Sequence, residues 1–63
     1  MPVITIDVGL VSNEQKEELI KEFTKKASEI IGLSEEKFVV FIREHGYENI
    51  GVGGVSLSIS LKK

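Results

Sequence analysis

The chain has no cysteine and no tryptophan, and it has one proline, one histidine and one arginine among 63 residues. Without cysteine no disulfide can staple the fold, and a lone histidine excludes a structural zinc site. No other metal or cofactor motif is present, so no cofactor is expected. Eight basic and ten acidic residues leave a net charge of −2. The signs are interspersed, which argues against the basic stripe of a nucleic-acid binder and the polybasic patch of a membrane-surface protein. The longest apolar run, Phe38 to Ile42, is far too short to span a bilayer. No charged leader followed by a long apolar core opens the chain, so no signal peptide is expected and a cytoplasmic location is the default.

What remains is one small domain, residues 1–63, with an ordinary apolar fraction of 41%. A domain of about 60 residues buries only about 60% of the surface its unfolded chain exposes. With no disulfide possible and no structural zinc site expected, the staple left for so small a scaffold is association with other chains. A homo-oligomer is therefore expected.

Three segments follow along the sequence. Pro2 to Val8 alternates Ile4, Ile6 and Val8 with Val3, Thr5 and Asp7 and ends at Gly9, which predicts a half-buried strand. Ser12 precedes Gln15 by the spacing of a capping box, with Asn13 as an alternative cap one residue later. Leu19, Ile20, Phe23, Ala27, Ile30 and Ile31 then recur at helical spacing, and Gly32 supplies a left-handed stop. A helix over 13–31 is predicted. Leu33 to Lys37 reads as a turn with Ser34 as its cap. Phe38 to Glu44 reads as a second strand whose unbroken apolar run calls for cover on both faces. Strand, helix, strand at this separation is a β-α-β unit with parallel strands. Beyond it, Gly51, Gly53 and Gly54 require a turn or hairpin. Val55, Leu57, Ile59 and Leu61 alternate with polar residues and predict a terminal strand with one apolar face, lying on a neighbouring subunit. The fold class is α/β: a single β-α-β unit with a C-terminal hairpin or strand.

Candidates for chemistry are few. The Gly51-Val52-Gly53-Gly54 run lacks the spacing and following helix of a dinucleotide fingerprint and the lysine of a phosphate loop. His45 beside Glu44 reads as a surface residue at a strand end. The serines have no nucleophile-elbow context. Arg43 shares a strand face with Val39 and Phe41, and a guanidinium suits a bidentate grip on a carboxylate. Pro2 follows the initiator methionine, and methionine before a small residue is ordinarily trimmed. An N-terminal proline is a secondary amine. Amino termini titrate near 8, and an apolar pocket lowers that value, giving a general base competent at neutral pH. With Met1 attached, the same nitrogen is an amide and accepts no proton.

Pro2-Val3-Ile4-Thr5-Ile6, Ser12-Asn13-Glu14-Gln15-Lys16-Glu17 and Ile50-Gly51-Val52-Gly53-Gly54, in a chain of this length, resemble the 4-oxalocrotonate tautomerase family end to end. The resemblance implies hexamers built as trimers of dimers, each dimer a four-stranded sheet carrying two helices. It implies a cofactor-free tautomerase in which the N-terminal proline, here Pro2, moves a proton between the enol oxygen and a carbon of 2-oxo acids such as 2-hydroxymuconate. The best-studied members carry an arginine in the loop before the helix, where this chain has Leu10-Val11. They carry another near the start of the second strand, where it has Val39, and an aromatic where it has Ile50. By this resemblance Pro2 is the catalytic residue, with Val39 and Ile50 left as apolar lining; where the family's arginines are missing, Arg43, on the same strand face as Val39, is expected to supply a displaced carboxylate contact. The substrate is then a small-molecule 2-oxo acid or enol, smaller or less charged than the family's dicarboxylate. The alternative is a non-catalytic oligomeric module that kept the fold and lost the polar site residues.

Overall fold

The computed structural model describes residues 1–61. Strand β1 (Val3–Val8) leads to helix α1 (Asn13–Ile31), a 3₁₀ turn at Glu35–Lys37 and strand β2 (Val39–Glu44). A second 3₁₀ turn (Tyr47–Asn49), strands β3 (Gly51–Val52) and β4 (Val55–Ser56), and the short helix α2 (Leu57–Ser60) complete the chain.

Helix α1 has the predicted limits because its ends are set locally. The Ser12 hydroxyl accepts the Gln15 N–H at 3.1 Å and the Gln15 side chain accepts the Ser12 N–H at 2.9 Å, closing a capping box. Gly32 stops the helix at φ +84° and returns its N–H to the Ser28 carbonyl. Strands β1 and β2 pair in parallel, Val3 opposite Val39 through to Val8 opposite Glu44. That register gives the sheet two distinct faces. Ile4, Ile6, Val8, Val40 and Ile42 are half-buried on one side, while Val3, Thr5, Asp7, Phe41 and Arg43 are exposed on the other. Leu19, Phe23 and Ala27 of α1 are half-buried, whereas Ile20, Ile30 and Ile31 from the same apolar stripe stay exposed.

The glycine segment is a hairpin, as expected. Gly53 and Gly54 both take positive φ, +61° and +85°, which the tight turn between β3 and β4 requires. The predicted terminal strand is corrected in part. Pairing ends at Ser56, and Leu57–Ser60 is a helical turn. The reason is local: the Ser56 hydroxyl accepts the Ser58 N–H at 3.2 Å, a cap that competes with extension of the strand. The second strand also begins one residue later than predicted, because Phe38 closes the preceding 3₁₀ turn through its N–H to Glu35.

No described side chain is fully buried. The radius of gyration is 15.3 Å, against about 10.6 Å for a compact domain of this length. The chain exposes 4973 Å², against about 4,000 Å² for a compact monomer of its mass. Two apolar surfaces stand open: the sheet face bearing Val3 and Phe41, and a hollow along the unpaired edge of β1 lined by Ile4, Ile6, Phe23, Ala27 and Ile30.

Candidate active site

Pro2 lies at the entry to β1. Its carbonyl accepts the Val39 N–H at 3.0 Å, so Pro2 is held beside the start of β2. Pro2 and Val39 are thereby brought together at one end of the sheet. Arg43 is at the other end, four residues along β2 and about 13 Å away at strand rise. Its Nε lies 3.4 Å from Asp7 Oδ1, across the β1–β2 register. His45 Nε2 reaches the same oxygen at 2.9 Å. The hydrogen bond from His45, aided by the charge of Arg43, holds the Asp7 carboxyl below its ordinary value. Arg43 thus shares the exposed face with Phe41, as the alternation implied, and it already has a carboxylate neighbour.

Ile50 sits on the C-terminal arm. Its N–H donates to the Tyr47 carbonyl and its own carbonyl accepts the Leu57 N–H at 2.8 Å, which docks α2 onto the turn before β3. Beside it a hollow of about 470 Å³ is lined by Leu10, Tyr47, Glu48, Ser58 and Leu61. That volume lies in the range of small-molecule sites. Its walls are apolar and aromatic, with one carboxylate (Glu48), the hydroxyls of Tyr47 and Ser58, and no cation.

Two features escaped sequence reasoning. One is the Asp7–His45 contact, which spans 38 residues. The other is Glu44, whose two oxygens reach Lys16 Nζ at 2.6 Å and the Val11 N–H at 3.1 Å. These contacts hold the Glu44 carboxyl low, the Lys16 hydrogen bond first and the Val11 amide second. Neither strand carries a local signal for such pairs; only the parallel register and the loop path create them. Among the described residues no cluster of three or more His, Cys, Asp or Glu side chains is arranged to hold a metal. Among the same described residues no helix is long and apolar enough to cross a membrane.

The family model for tautomerase enzymes matches residues 2–59, nearly the whole chain and starting at Pro2. The chain belongs to the tautomerase family. It is 40% identical over 60 residues to the 2-hydroxymuconate tautomerase of Bacillus subtilis (strain 168), a match covering 92% of this chain and 95% of that protein. The crystal structure of YwhB, described as a homologue of 4-oxalocrotonate tautomerase, superposes with a TM-score of 0.82 at 38% identity. That match covers 90% of this chain and 95% of YwhB. A heterohexamer 4-oxalocrotonate tautomerase from Chloroflexus aurantiacus gives a TM-score of 0.82 at 25% identity, covering 92% and 95% of the two chains. The β-α-β unit with its C-terminal hairpin is therefore the tautomerase fold, and the protein is a tautomerase enzyme. In this tautomerase the two ends of the sheet carry different parts of the candidate site, Pro2 with Val39 at one and Arg43 at the other.

Proposed function

We propose that the protein interconverts enol and keto forms of a 2-oxo acid of the 2-hydroxymuconate type, with the amine of Pro2 as general base once Met1 is removed. The neutral amine takes the proton of the enol hydroxyl; the C2 carbonyl forms as the double bonds shift; the ammonium returns that proton to a ring-free carbon of the chain. Atoms and electrons balance without a cofactor. The observation that carries this reading is the anchoring of Pro2. The Val39 N–H fixes its carbonyl while its own nitrogen takes no part in the sheet, so a free amine there has a defined position and an apolar neighbour.

The working unit in this reading is a homo-oligomer, a hexamer built as a trimer of dimers with a four-stranded sheet and two helices per dimer. The heterohexamer from Chloroflexus aurantiacus, the absence of any fully buried side chain among the described residues and the two open apolar surfaces support it. The Pro2 end of one subunit then meets Arg43 or Ile50 of another. Val39 and Ile50 serve as apolar lining and Arg43 as a carboxylate contact through the part of its guanidinium turned away from Asp7.

Intact-mass measurement of protein made in its native host, together with turnover of 2-hydroxymuconate followed by ultraviolet absorbance, tests the proposal. The expected result is loss of the Met1 mass and activity that falls by about a hundredfold or more in Pro2→Ala, with assembly unchanged. One observation favours a second reading, a non-catalytic module: Leu10, Val39 and Ile50 leave the site with Arg43 as its one arginine, and Asp7 already engages it. That reading predicts no more proton transfer from the trimmed protein than from Pro2→Ala.

A further inference from the structure

Strand β1 is joined to α1 by Gly9, Leu10, Val11 and Ser12. Ser12 is fixed by the capping box, but Gly9 has open space around it. Among the described residues, the one hydrogen bond tying Gly9–Val11 to another part of the protein is the Val11 N–H to Glu44 Oε2 at 3.1 Å. Glu44 is the last residue of β2, opposite Val8, where the two strands end and their chains diverge. Its other oxygen reaches Lys16 Nζ at 2.6 Å in the first turn of α1. One carboxylate therefore joins the end of β2, the connecting loop and the start of the helix. Both partners of the ion pair are partly shielded, at 31% and 29% side-chain exposure, so solvent competes with this contact less than with a fully exposed pair.

The loop so held presents Leu10, 75% exposed, as one wall of the hollow with Tyr47, Glu48, Ser58 and Leu61. The His45 N–H on the Val8 carbonyl and the capping box at Ser12 hold the flanks of the loop, and the Val11 contact fixes its middle. We infer that Glu44 is a positioning residue for this tautomerase: it locks the Gly9–Ser12 loop so that Leu10 closes the hollow around bound substrate. The inference rests on the proposed tautomerase function and takes the hollow, whose wall residue Tyr47 accepts the Ile50 N–H, as part of its substrate site. A positioned wall of this kind contributes to binding throughout the reaction, so its loss raises KM more than it lowers kcat.

The test compares wild type with Glu44→Ala, Glu44→Gln and Lys16→Met, with oligomeric state and thermal stability measured for each. Glutamine keeps an oxygen for the Val11 amide and loses the charge, while methionine removes the ion pair and leaves Glu44 on Val11. The expected result is a KM for 2-hydroxymuconate raised about tenfold in Glu44→Ala, the size of one hydrogen bond to a charged group. Its kcat stays within about twofold, and both Glu44→Gln and Lys16→Met stay near the wild-type KM. The Val11 amide, read by NMR hydrogen exchange, becomes fast-exchanging in Glu44→Ala alone. An unchanged KM in Glu44→Ala overturns the inference, as does a KM that rises equally in Lys16→Met in step with lost stability. Inactive wild-type protein overturns the tautomerase site reading itself, and the inference with it; active wild type with an indifferent Glu44→Ala overturns only the inference.

Discussion

Phe41→Ala probes whether the open sheet face is an interface. Phe41 stands in the middle of that face, opposite Thr5, and is 55% exposed in the single chain. An aromatic side chain of about 200 Å² then leaves about 110 Å² to be covered, worth about 2.7 kcal/mol at 25 cal/mol/Å². Truncation to alanine forfeits most of this, about 2 kcal/mol per subunit. A two-fold interface carries the residue twice, so the pairwise loss is about 4 kcal/mol, or about a thousandfold in Kd. Sedimentation velocity across a dilution series reads the dissociation directly, with circular dichroism confirming that α1 remains. Wild type should stay associated at concentrations where Phe41→Ala has come apart, and tautomerase activity should fall along the same dilution curve. Coincident dissociation curves for the two proteins would refute the placement of Phe41 in an interface. A wild type that is monomeric throughout would refute the oligomer itself.

Ser12→Ala removes the hydroxyl half of the capping box and should cost about 1 kcal/mol per subunit, measured by denaturant unfolding at fixed protein concentration. Acid should weaken the protein through two carboxylates. Asp7 and Glu44 are held below their ordinary values of 3.8 and 4.5 by His45 and Lys16 respectively. The unfolded chain therefore binds protons first as pH falls. The stabilisation is complete above the ordinary values and is lost as pH drops through the lowered ones. Unfolding monitored between about pH 6 and pH 2 should show this loss, and Glu44→Gln should remove its share; a variant with the wild-type acid profile would contradict the assignment.

The elements that could be read from sequence are those whose determinants are local. Ser12, Gln15 and Gly32 bound α1 within one turn of each end, and Gly53-Gly54 set the hairpin. The β1 alternation was equally legible, since Ile4, Ile6 and Val8 face the same way whatever lies against them. Leu57, Ile59 and Leu61 misled because a strand and one helical turn both tolerate that spacing; the Ser56 hydroxyl decides between them. The run Phe38–Ile42 called for cover on both faces, and the single chain leaves Phe41 exposed, so the missing cover belongs to something outside the chain. Arg43 was placed on the right face, but its neighbour Asp7 comes from the Val3–Val39 register, a property of two strands together. Glu44 was read only as a strand end, because its partners lie 28 and 33 residues back in the chain.

The same register bears on how the site is assembled. Pro2 stands beside Val39 at one end of a two-stranded sheet, whereas Arg43 and the loop held by Glu44 stand at the other. A rigid strand pair cannot fold back to join its own ends, since strand rise keeps them about 13 Å or more apart. On the proposed reading, a small substrate that touches both the Pro2 amine and the Arg43 guanidinium lies between chains. The exposed faces of Val3, Phe41 and Ile30 are what another copy would cover, and covering them is also what would bring a second sheet end to the first. On that reading, stability and catalysis depend on the same contacts. A substitution that loosens the sheet face without touching Pro2 should weaken both together.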